Sequence, residues 1–91
     1  PNLLRVFVGE ALRIRRRGDN HIAVLETNLD DISGEQIGFT IERLWAEGAL
    51  DVFTAPVQMK KGRPGVLLTV LCQPVDRKRM ENILFQQTGT L

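Results

Sequence analysis

Tyrosine is absent from this chain of 91 residues, and the remaining aromatics are one Trp and four Phe. RNA-recognition sheets stack bases on exposed aromatic side chains, and no strand-like run here carries such a set. Sulfur and imidazole are equally scarce, with one Cys and one His. That excludes a disulfide framework within the chain, a Cys-rich zinc site and a metal cage built only from its histidines. No apolar run approaches the ~18 residues that a membrane span requires, and no basic-then-apolar leader opens the chain. The expected compartment is the cytoplasm, with no membrane partner. An excess of one charge is also missing. Twelve Lys and Arg stand against eleven Asp and Glu, a formal charge of +1. This argues against a disordered polyelectrolyte and against a protein that coats duplex DNA.

What is present is an ordinary globular balance, 43% apolar and 25% charged. A chain of this size buries roughly 60–65% of the surface that its unfolded form exposes, enough for one modest core and one domain. It starts at Pro1 without an initiator Met and stops at Gly89-Thr90-Leu91, directly after a helix-like pattern. Both ends suggest a piece of a longer protein.

Residues 3–8 form a β-rich apolar run ended by Gly9, and Arg13 to Asn20 are polar and rich in turn residues. Residues 1–20 are thus expected to be an N-terminal strand and a basic linker. A second strand runs from His21 to Leu29, with His21, Ala23, Leu25, Thr27 and Leu29 on one face. Ile22, Val24, Glu26 and Asn28 share the other face, and Asp30 continues that row if the strand extends. Ser33 and Gln36 form a capping-box pattern that opens a helix. Its core stripe is Ile37, Ile41, Leu44 and Trp45, and Gly48 supplies the stop. Val52 to Met59 reads as a strand in which Pro56 lacks a ladder N–H, so an edge or a bulge is expected. Val66 to Cys72 is a continuous apolar run, the pattern of a strand covered on both faces. The short connection between them makes a hairpin. Pro74 suits the first turn of a second helix, with Asp76 at its positive end and Met80, Ile83 and Leu84 as its stripe.

The order after residue 20 is strand, helix, strand, strand, helix. The expected fold is therefore α+β, a ferredoxin-like βαββα(β) sandwich that lacks its last strand and has an extra N-terminal strand. Residues 21–91 form the truncated ferredoxin-like domain. The free edge is expected to be filled by the run at 3–8 or by a neighbouring chain.

Three groups of residues could carry chemistry. Glu26, Asp30 and Asp31 cluster at the end of a strand and just before a helix. Hard oxygen donors at this density suit Mg²⁺ or Mn²⁺, which join one or two carboxylates to nucleotide phosphates. The same acids also favour a helix N-terminus electrostatically. Lys60, Lys61 and Arg63 sit among Gly62, Pro64 and Gly65. Such a loop can cradle phosphates, or it can be a solvated hairpin tip whose lysines discourage edge pairing. Arg13, Arg15, Arg16 and Arg17 form a basic arm that could touch RNA, a membrane or an acidic partner, or simply be solvated. His21 reads as a satisfied edge residue, Cys72 as a small buried one, and Trp45 as core. Charge is also partitioned along the chain. Residues 1–20 carry five Arg against Glu10 and Asp19, residues 21–55 carry Arg43 against seven acids, and residues 56–91 carry six cations against Asp76 and Glu81.

Several spaced blocks resemble the LarC-type nickel insertion proteins. They are Pro1 to Val6 with Gly9-Glu10, then Leu25 to Asp31 with Ser33-Gly34-Glu35, then Gly48 to Val52 with Pro56 and Gln58 to Lys61. Arg63 to Leu68, Leu71-Cys72 and Ile83-Leu84-Phe85 with Thr88 and Thr90-Leu91 complete the set. The resemblance covers nearly the whole chain apart from residues 11–20, and Gly62 stands where many relatives carry Asn. It implies a part of the family's C-terminal region. It further implies a role in a CTP-dependent nickel insertase, which metallates the pyridinium mononucleotide precursor of the nickel-pincer cofactor of lactate racemase-type enzymes. Mg²⁺ or Mn²⁺ is then an auxiliary ion and Ni²⁺ the substrate metal. Under this resemblance Asp30, Asp31 and Glu26 become candidate ligands of the divalent ion, and Lys60, Lys61 and Arg63 a candidate triphosphate cradle. The isolated fragment is expected to be inactive without the rest of its parent chain, and a homo-oligomer is expected. The rival expectation is a non-catalytic ferredoxin-like regulatory or oligomerisation module, since fold alone does not choose between them. Nucleic-acid binding through Arg13 to Arg17 is the third.

Overall fold

A computed structural model describes residues 4–10 and 21–88. The basic arm at Arg13 to Arg17 lies outside the described residues. Four strands and two helices follow one another as β1 (Leu4–Glu10), β2 (His21–Leu29), α1 (Gly34–Ala46), β3 (Asp51–Gln58), β4 (Pro64–Cys72) and α2 (Arg77–Thr88). A 3₁₀ turn at Pro74–Asp76 leads into α2. The protein is α+β, and its strands form one antiparallel sheet of order β1-β2-β4-β3.

The expected pairing of the first run is observed. β1 lies along β2, with Leu4 opposite Thr27 and Glu10 opposite His21. β3 takes the other edge, which accommodates Pro56 because only one side of an edge strand carries ladder bonds.

Alternation in β2 fixes which face is buried. Ala23, Leu25, Thr27 and Leu29 are almost completely buried, whereas the residues between them are half-buried. The register carries the buried row across to Leu68, Val70 and Cys72 in β4 and Val52 in β3. Leu44 of α1 and Met80, Ile83 and Leu84 of α2 close the core over this face. The α2 stripe is the expected one. The other row of β4 turns away from the helices. Leu67 and Leu71 there are half-buried and Thr69 is buried, so the helices cover one face of β4 rather than both.

The start of α1 is capped by Ser33, whose Oγ accepts from the Gln36 backbone N–H at 3.1 Å. The reciprocal half of the capping box goes elsewhere, because the Gln36 side-chain amide donates to the Gln87 carbonyl near the end of α2. At the other end, Gly48 N–H donates to the Trp45 carbonyl at 3.2 Å and Ala49 N–H to the Leu44 carbonyl at 3.1 Å. These are the two bonds of a Schellman stop, and Gly48 carries the left-handed φ of 108° that the motif requires.

Trp45 departs from expectation: it is 47% exposed. Leu44 is fully buried in the core, and the next residue lies 100° further round the helix. Thr40 takes the buried place instead. Its hydroxyl donates to the Gln36 carbonyl at 2.8 Å, so its burial leaves no unpaired donor.

Candidate functional site

The β3–β4 turn and the β2–α1 loop meet at one end of the sheet. The turn tip is Lys60–Gly62, with Met59 N–H donating to the Arg63 carbonyl at 2.6 Å and Gly62 N–H to the Met59 carbonyl at 3.1 Å. Closing so short a tip requires left-handed backbone at Lys61 (φ 61°) and Gly62 (φ 74°). In the facing loop Asp31 is also left-handed, at φ 64°. Asp tolerates that conformation better than most residues because its short side chain can bond locally. The strand ends at Leu29 and the chain turns through Asp31, which stops the alternation that would have continued the Glu26–Asn28 row.

Between the two segments lies an open hollow of about 530 Å³. Asp30 to Ser33 form one wall and Arg63 to Val66 the other, with Leu29 between them. Arg63 Nη2 donates to Asp30 Oδ2 at 2.7 Å, joining residues 33 positions apart. The Arg63 side chain is 62% exposed and that of Asp30 is 15% exposed. Gly65 lines the hollow in close quarters: a Cβ would stand 2.6 Å from Met59 Cγ, which would have to move, and 3.1 Å from the Leu29 carbonyl oxygen. Ser33, expected only as a helix cap, brings the N-terminal end of the 13-residue α1 to the same hollow. Helix N-termini favour anions through their unpaired N–H groups and the helix dipole. The signal for this was present, since a capping pattern directly follows the acid pair.

Asp30, Asp31 and Arg63 are therefore brought together, although the sequence assigned them to two separate motifs. Lys61 is in the tip but does not line the hollow, and Lys60 is its neighbour there. Glu26 is not in the group. It lies in the half-buried row of β2, opposite Arg5 on one side and Thr69 on the other. Among the described residues no three His, Cys, Asp or Glu side chains converge to hold a metal. Two carboxylates on a shared hollow fit a divalent ion that arrives with phosphate oxygens rather than one held in an all-protein cage.

Cys72 is remote from this chemistry. It is fully buried beneath the helices, and burial pushes its thiol up from the ordinary value, with the Asp76 carboxylate adding to the effect. A thiol held protonated is a poor nucleophile. Among the described residues no helix is long and apolar enough to cross a membrane.

Comparison with known proteins gives a consistent family. The family model described as nickel insertion protein matches residues 1–91. A protein of Dictyoglomus thermophilum named for nickel insertion is 50% identical over 91 residues, covering 100% of this chain and 23% of its own length. The pyridinium-3,5-bisthiocarboxylic acid mononucleotide nickel insertion protein of Geobacillus kaustophilus is 44% identical over 98 residues, covering 100% of this chain and 24% of its own. Among solved structures, LarC2 is similar with a TM-score of 0.74 and 33% identity, over 96% of this chain and 51% of that one. LarC2 is described as the C-terminal domain of a cyclometallase involved in the synthesis of the NPN cofactor of lactate racemase, in its apo form. The chain spans about a quarter of the length of the curated relatives it matches.

Proposed function

The chain belongs to the nickel insertion protein family and corresponds to part of its C-terminal region, and we propose that it supplies the nucleotide and divalent-ion binding part of a CTP-dependent nickel insertase. The parent enzyme metallates the nickel-pincer cofactor precursor, with Ni²⁺ as substrate. The observation that carries this reading is the hollow in which Asp30, Asp31 and Arg63 converge beside the start of α1. Its carboxylates would hold Mg²⁺ or Mn²⁺, and the ion would neutralise phosphate charge and fix its geometry. Arg63 offers a forked donor set for phosphate, and Lys60 and Lys61 in the adjoining tip add positive charge. Glu26 has no part in this arrangement, because its strand row does not reach the hollow.

In the same reading the fold is a ferredoxin-like sandwich in which β1 occupies the edge that a fourth strand would take. A cytoplasmic setting accords with a lone, buried, unpaired cysteine.

Calorimetry of Mg-CTP binding to the full-length protein tests the site. Lys60→Ala/Lys61→Ala and Asp30→Ala/Asp31→Ala should each weaken binding by about tenfold or more, the scale of lost charge-assisted contacts. Unchanged affinity in both variants removes the assignment.

A second reading has one observation in its favour. The sheet face opposite the helices carries half-buried Val24, Leu67 and Leu71 and a 47% exposed Phe53. A non-catalytic regulatory or oligomerisation module would use that face for assembly. Melting that ignores saturating Mg-CTP but depends on protein concentration would decide for it.

A further inference from the structure

The ion pair across the hollow sets a condition on what can bind there. Asp30 Oδ2 already accepts from Arg63 Nη2 at 2.7 Å. A lone divalent cation taking Asp30 displaces the guanidinium and leaves it beside a second positive charge. A lone polyphosphate taking Arg63 displaces the carboxylate and leaves it beside a second negative charge. Each half-ligand therefore breaks an attraction and creates a repulsion. A cation already joined to phosphate avoids both penalties, because the metal replaces the guanidinium at Asp30 while phosphate replaces the carboxylate at Arg63. Resting on the site reading above, we infer that Arg63 and Asp30 form an exchange pair that makes the hollow selective for a metal-complexed polyphosphate over the free cation or the free polyphosphate.

The geometry favours exchange over a fixed staple. The two residues come from different loops, 33 positions apart, and each loop has a left-handed residue close by, at Asp31 and Lys61. The exposure is unequal, 62% for the Arg63 side chain and 15% for that of Asp30. Arg63 can swing into solvent on its flexible stem while the carboxylate stays at the wall. Arg63 is thus a positioning residue for the cation as well as a phosphate ligand: without phosphate it holds the Asp30 carboxylate oxygen that a metal would bind.

Electron paramagnetic resonance of Mn²⁺ and calorimetry of Mn-CTP, on full-length protein, separate the outcomes. Arg63→Ala should bind Mn²⁺ alone about 2- to 5-fold more tightly, the scale of an exposed ion pair. The same variant should bind Mn-CTP roughly tenfold more weakly. The gain in Mn²⁺ affinity should vanish in an Asp30→Asn background, and Arg63→Lys should reverse it and recover part of the Mn-CTP binding. A purely structural role would lower both affinities together. Mn²⁺ binding that is unchanged or weaker in Arg63→Ala, or a gain that survives Asp30→Asn, overturns the exchange pair while leaving the nucleotide site standing. Failure of the unaltered protein to bind Mn-CTP overturns the site reading and the inference with it.

Discussion

Arg79 and Arg63 each hold an aspartate at 2.7 Å, and their side chains are 49% and 62% exposed. By distance and exposure the two pairs are nearly equivalent. Their surroundings are not. Arg79 pairs with Asp76 three residues away and also donates to the Glu47 carbonyl at 3.2 Å, with the Glu47 carboxylate at 3.4 Å. It therefore satisfies a carbonyl at the C-terminus of α1, where positive charge is also favoured by the helix dipole. Its guanidinium packs 3.8 Å from where a Gly48 side chain would begin, over the Schellman stop. Its Nε and Nη2 both face protein groups, and the corner ties α1 to α2. Arg63 meets Asp30 across an open hollow, between loops with left-handed backbone at Asp31 and Lys61. Strained backbone of this kind tends to persist where the chain is shaped for a task other than stability. The same interaction is thus a staple where its neighbourhood is filled and an exchangeable contact where its neighbourhood is open.

That contrast can be broken at several points. The largest effect should come from Leu44→Ala, which removes a fully buried side chain at the stapled corner. Urea denaturation should show a loss of about 2–5 kcal/mol, with Mg-CTP affinity of the folded protein unchanged. Coupled loss of affinity would mean that the two corners are not independent. Next is Gly65→Ala at the hollow. The added Cβ would force Met59 aside and press on the Leu29 carbonyl, costing about 1–3 kcal/mol by overpacking and weakening Mg-CTP binding as well. Full affinity in that variant would show that the wall beside Gly65 does not face the ligand. The smallest effects should come from the arginines themselves, and they sharpen the comparison most. Arg79→Ala should cost about 0.5–1 kcal/mol and leave ligand affinity alone, whereas Arg63→Ala should cost less than about 0.5 kcal/mol and act on affinity. Equal stability losses in the two variants would erase the distinction.

Much of this fold was legible residue by residue. β2 was bounded at His21 and Leu29 by alternation alone, and the cap at Ser33, the stop at Gly48 and the α2 stripe of Met80, Ile83 and Leu84 were visible as spacing. All are local signals, set by backbone geometry within a few residues. The errors lie where burial depends on a neighbour distant in sequence. Trp45 is apolar and adjacent to the stripe, yet it is 47% exposed, one step round the helix from fully buried Leu44. Thr40 is polar and yet buried by the elements packed on α1, with its hydroxyl satisfied within the helix. The apolar run in β4 did not reveal that the helices lie on one side of it.

The candidate site divides in the same way. The sequence by itself determined which residue types were available: an acidic end to one strand, a basic glycine-containing turn, and one histidine and one cysteine too few for a metal cage of their own. It also determined the family, through blocks spread over nearly the whole chain. Only the tertiary structure decided that Asp30 and Arg63 touch, that Asp31 shares their hollow, and that Glu26 does not. The physical reason is register. Antiparallel pairing of β2 with β4 sets Leu29 opposite Val66, and that alignment brings the loop after one strand beside the turn before the other. Pairing across 33 residues leaves no periodic trace in either segment, so the acid and the base that meet at one hollow were readable separately and not as a pair.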